Sequence, residues 1–189
     1  MTPFEFVFGL ISIITSLALA HLTAGIVALI RHGERVRFSW RHAAWTWVAF
    51  ALVIANWAGL WHLRAFEVWP FHLIAMNIAF MISLYAFCAL VIPEIPPQAE
   101  LDLRAFHDRE GKRYIAAHMV FAVLACGYNA VGAASLQAWL SNSFLALLAL
   151  LVSAVALIAR PLWLQGLAAA GMAILAGYFL VVFTHIGPG

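Results

Sequence analysis

The sequence predicts an all-α, polytopic integral membrane protein, a bundle of six transmembrane helices with both termini on the outer side (N-out/C-out). Composition is the first reason: 66% of the 189 residues are hydrophobic and 10% are charged, against roughly 25% charged in a soluble domain. Spacing is the second, because the charges gather between long apolar stretches and mean hydropathy reaches +0.98. Placement of Lys and Arg is the third. Together these exclude a soluble enzyme, a disordered tail and a nucleic-acid-binding domain. The pI near 8.8 comes from loop charges and implies no nucleic-acid partner; the expected surroundings are the lipid bilayer.

A helix needs about 20 predominantly apolar residues to cross the hydrocarbon core, and the stretches 4–30, 40–63, 71–92, 114–135, 136–159 and 162–185 qualify. The first carries Glu5 and no basic residue ahead of it, and its apolar run continues past Ala18-Leu19-Ala20. It therefore reads as a retained helix rather than a signal peptide. The fourth and fifth nearly abut, which requires a tight helical hairpin. Pro161 suits the first turn of the sixth. The chain reads as a single transmembrane domain, 1–189, with one sizeable connector, 93–113. Its Pro-Glu-Ile-Pro-Pro start is expected to be extended, and its mixed-charge part, 100–113, to form a short solvated surface helix.

With six spans, Arg31, Arg35, Arg37, Arg41, Arg104, Arg109, Lys112, Arg113 and Arg160 share one side and Arg64 alone holds the other. The positive-inside rule then puts the basic loops in the cytoplasm and both termini outside. Cys88 and Cys126 both lie in apolar stretches, where free cysteine behaves as a small hydrophobe.

Helical spacing groups the polar residues. On the first helix Glu5, Gly9, Ser12, Ser16, Ala20 and Thr23 make a small, polar seam expected to pack against a neighbour, with His21 on the opposite side. The fourth helix aligns His118 and Asn129 along one small-residue face, with Asn56, Asn77 and Tyr128 as partners from other helices. Intramembrane polar groups face the bundle and mark substrate or proton paths, so His21, Asn56, Asn77, His118 and Asn129 form a candidate polar groove. Trp47, Trp57 and Trp61 stripe the second helix and are candidates for the wall of a flat cofactor such as a quinone or porphyrin. Trp40, Trp45, Trp61 and Trp69 suit headgroup anchoring. The fifth helix, with only Ser143 and Ser153 polar in its body, reads as peripheral. Gly166, Ala170, Ala173 and Gly177 give the sixth a ridge for close packing within the chain or in a second copy.

Topology brings Glu5, His62, Glu67, His72 and His185 to the outer end, and Glu5, His62, His72 and His185 are candidate ligands for Zn, Cu or non-haem iron if helices one and six pack beside that hairpin. No one-helix H-x-x-x-H or E-x-x-H pair supports it. A bis-histidine haem is a further option. No nucleophile motif or intramembrane Asp occurs, so enzymatic chemistry is the less favoured branch.

Glu5 with its Gly-Leu-Ile-Ser helix, Arg-Val-Arg-Phe-Ser-Trp before a Trp-rich second helix, and a proline-interrupted acidic connector after Ile92 are similar to a broad group of small bacterial inner-membrane proteins. The resemblance covers about the first 115 residues. It implies a bacterial inner-membrane location and brings no activity or site. The leading expectation is movement or sensing of a small ion or proton through the polar groove. The alternatives are a redox protein holding a metal, haem or quinone, and an accessory or assembly subunit of a larger complex. A homo-oligomer or a membrane-complex partner is expected.

Overall fold

The computed structural model describes residues 3–65, 68–95, 100–131 and 133–183. They form six long helices: α1 (Pro3–Arg31), α2 (Trp40–Gly59), α3 (Phe71–Val91), α4 (Leu103–Val131), α5 (Leu136–Ile158) and α6 (Leu162–Phe183). Five of them are long and apolar enough to cross a membrane. The exception is α2, whose four tryptophans, Arg41, His42 and Asn56 lower its hydropathy although most of its residues are buried by neighbouring helices. Local chemistry sets the helix starts. Ser135 Oγ accepts the Ala138 N–H at 3.1 Å to begin α5, and Asp102 accepts the N–H groups of Arg104 and Ala105 at 2.8 and 3.1 Å to begin α4.

Helices α2 to α6 close a ring in chain order, α6 returning to α2, and α1 lies outside it against α3 and α2. At the basic end, β1 (Val36–Arg37) pairs in parallel with β2 (Leu101–Asp102), joining the first and third loops. The closest packing in the ring is α2 on α6. The small-residue ridge makes that approach possible. A Cβ on Gly166 would stand 2.9 Å from Trp40 Cζ2, and Trp47 Nε1–H donates to the Ala173 carbonyl at 3.2 Å. The ridge is therefore used within the chain.

Three sequence expectations are corrected. The segment 100–113 is not a separate solvated helix: α4 starts at Leu103 and runs unbroken to Val131, burying Leu103, Phe106, His107 and Gly111. These continue, at helical spacing, the stripe of Tyr114, Ile115 and His118. On α1 the polar seam faces outward, with Glu5, Gly9, Ser16, Ala20 and Thr23 exposed, because Val7, Ile11, Thr15, Ala18 and Leu22 form the buried face. Trp45 is no interfacial anchor but a core residue, 1% exposed. Helix α5 closes the ring between α4 and α6 but, as expected of a peripheral helix, buries only Ser143, Ser153 and Ala156, so its two hydroxyls turn inward.

Candidate functional site: an uncharged chamber in the bundle

The ring is filled at one end and hollow at the other. At the basic end Trp45, Phe87 and Tyr114 are buried and meet His118 in a dense layer. The Trp45 ring lies 6.3 Å from Phe87 and 5.7 Å from His118, and Phe87 lies 5.2 Å from His118, all edge-on. Such edge-to-face contacts suit the ring quadrupoles. Below this layer the polar groups are paired. Arg41, with a side chain only 7% exposed, donates to Asp108 at 2.9 Å and to Gln165 Oε1 at 2.6 Å, while Gln165 Nε2–H donates to the Ala159 carbonyl at 2.8 Å. His42 Nε2–H donates to the Val91 carbonyl at 2.8 Å, and His107 hydrogen-bonds the Tyr114 hydroxyl.

Toward the other end the helices part around a cavity of about 460 Å³, bounded by α2, α3, α4, α5 and α6. It extends from Asn129 and Asn142, beside the α4–α5 turn, to His118 and Met172. Along α4 that is eleven residues, about 16 Å. Its walls are mostly Leu, Ala, Met and Phe, with Phe80 stacked on Phe121 at 4.5 Å. None of the residues lining it is Asp, Glu, Lys or Arg.

The polar side chains in this wall are partly tied down. Asn56 and Asn77 each donate one amide N–H to their own helix, at Leu52 O (2.8 Å) and Leu73 O (2.9 Å), and Asn129 donates one to Asn142 O at 3.1 Å. The side chains of Asn77 and Tyr128 share a hydrogen bond. His118 Nδ1 and Ser153 Oγ are hydrogen-bonded at 3.0 Å, and Ser153 Oγ also lies 3.9 Å from Met172 Sδ. Each asparagine has a second amide N–H and a side-chain oxygen, so the wall carries both donors and acceptors.

Of the candidate groove residues, Asn56, Asn77, His118 and Asn129 line this one cavity, whereas His21 lies on the outside of α1, exposed, with its ring 6.4 Å from Tyr85. The tryptophan stripe does not line it. Trp47 and Trp57 are exposed, and Trp61 packs under the Arg64 guanidinium, 4.6 Å above its ring. Of the outer cluster, Glu5 and His72 are exposed, while the His62 side chain, Glu67 and His185 lie outside the described residues. Among the described residues no three His, Cys, Asp or Glu side chains gather as a metal site. Sequence reasoning did not pick out Ser153, Met172 or Phe80. Ser153 carried a usable signal, being one of two hydroxyls in the body of an otherwise apolar helix.

Comparison with family models, curated proteins and solved structures gave no match to this chain.

Proposed function

We propose that the protein is a membrane receptor or carrier for an uncharged, largely apolar molecule bearing hydroxyl groups, held in the chamber between α2 and α6; a quinol is the type compound. One observation carries this reading: a cavity within the size range of small-molecule pockets, lined without any formal charge and carrying asparagine and histidine side chains able to hydrogen-bond a guest. An apolar body would satisfy its Leu, Ala and Phe walls, and ligand hydroxyls would satisfy the asparagine oxygens and His118. Lipid-soluble molecules are concentrated in the bilayer, so this chemistry also agrees with the five apolar helices.

A second reading, passage of a proton or small ion, is favoured by four of the expected groove residues lining one cavity. The layer of Trp45, Phe87 and Tyr114 weighs against it, since it interposes buried rings between chamber and basic end. The proposed setting is six spans in a bacterial inner membrane, with the basic loops cytoplasmic and the chamber in the outer half, following the charge bias.

Titration of a short-chain ubiquinol against the protein in nanodiscs tests the proposal. Saturable binding is expected, reduced at least tenfold by Ala125→Phe or Ala146→Phe, which fill the chamber from half-buried wall positions. Binding that survives both substitutions would overturn it.

A further inference from the structure

A second cavity, of about 560 Å³, lies at the basic end on the outer surface of the bundle, between the starts of α2 and α6. Phe38, Trp40 and Trp163 stand around it, all exposed. Gly166 and Ala170 continue it along α6, and Arg41 and Arg104 close its end. From Leu162 to Ala170 the groove descends eight residues of helix, about 12 Å. It is thus charged at one end, aromatic at the level of the helix starts, and apolar and narrow-walled below.

We propose that this groove seats one anionic phospholipid, its phosphate against Arg104 and its upper acyl chain along Gly166 and Ala170. The argument is complementarity at matched depth. Arg41 is already held by Asp108 and Gln165, so it supplies field rather than a free donor, whereas Arg104 is exposed on the first turn of α4. Arginine presents a planar fork suited to phosphate oxygens, and basic pockets between membrane helices on this side select acidic headgroups. Exposed tryptophans at one level suit the headgroup boundary. With no side chain at Gly166, the Trp40 ring lies directly against α6 and forms one wall of the groove. A soluble anion would use the arginine but leave the apolar half of the groove empty. A peptide would need backbone partners, which the helical walls do not offer.

The test is native mass spectrometry of detergent-purified, delipidated protein titrated with palmitoyl-oleoyl phosphatidylglycerol or the phosphatidylcholine of the same chains. One tightly retained phosphatidylglycerol is expected, with retention lowered about fivefold by Arg104→Gln and also lowered by Ala170→Phe, while Arg109→Gln, on the same helix but outside the groove, changes nothing. Equal retention of the two lipids would overturn the proposal, as would an equal effect of Arg109→Gln, which would indicate general surface charge. Displacement of the lipid by millimolar inorganic phosphate would identify a free-anion site instead and would also overturn it.

Discussion

The two ends of the five-helix ring differ in how the same helices meet. At the basic end the helices approach closely, the large rings of Trp45, Phe87 and Tyr114 are fully buried, and Arg41, His42 and His107 all have partners. Toward the other end the helices part, alanines alternate with larger apolar residues in the wall, and Asn56 and Asn77 each give one amide hydrogen to a backbone carbonyl. The contrast separates rigidity from recognition: one end holds the bundle together, and the other leaves space for a guest. Lipid offers helices little hydrophobic gain on association, so packing and hydrogen bonding must do the holding, and here both are concentrated at the basic end.

The largest expected effect comes from breaking that end. Trp45→Ala should cost about 3–5 kcal/mol, the range for emptying a buried aromatic site, read from unfolding in mixed micelles. Asn56→Ala, in the chamber wall, should cost about 1 kcal/mol or less, since it removes a half-buried side chain facing space. Equal costs would erase the contrast. Next is Asp108→Ala, which leaves the buried Arg41 guanidinium with Gln165 alone. A loss of about 1.5–3 kcal/mol is expected, the scale of a hydrogen bond to a charged group, because half-exposed Asp108 lets water take part of its place.

Smaller again is Ser153→Ala, which removes the hydrogen-bond partner of His118 Nδ1 and should cost about 1 kcal/mol. It also frees the histidine to change tautomer, so weakened quinol binding should accompany the loss. Unchanged binding would argue that His118 takes no part in recognition. The smallest effect concerns Asp102. The N–H groups of Ala105 and Arg104 hold its carboxylate below the usual range, helped by Arg37. A depressed folded pKa means that the capping contribution is complete above the unfolded value, about 3.9, and is lost as pH falls below it. The melting temperature of Asp102→Ala should therefore lie below that of the parent at pH 7, with the gap narrowing as pH falls below about 3.9; a difference that stays constant would show that the cap is not coupled to ionisation.

Much of the fold was legible because its signals are local. Apolar length and the Pro161 break placed the six helices, and three-to-four spacing brought His118 and Asn129 to one face of α4. What escaped depends on neighbours. Trp45 and Trp47 are two residues apart in the same helix, and only the positions of α3, α4 and α6 decide that the first is core and the second exposed. The outward turn of the α1 seam has the same origin: small polar residues permit packing, but the larger face of Val7, Ile11 and Leu22 buries more apolar surface against α2 and α3. The start of α4 carries its own helical signal beneath its charges. Leu103, Phe106, His107 and Gly111 follow the helical period that continues to His118, and that stripe outweighs the arginines and acids on the other face.

An uncharged guest is proposed to occupy the chamber rather than the lipid-facing surface. Photo-crosslinking with a diazirine-bearing ubiquinol analogue in nanodiscs, followed by peptide mass spectrometry, distinguishes the two locations. Adducts are expected on chamber residues such as Asn56, Phe80, Phe121 and Phe179, competed by unlabelled ubiquinol and absent from exposed Ile13 and Leu17 of α1. Adducts spread over the lipid-facing side chains, with no competition, would contradict this placement.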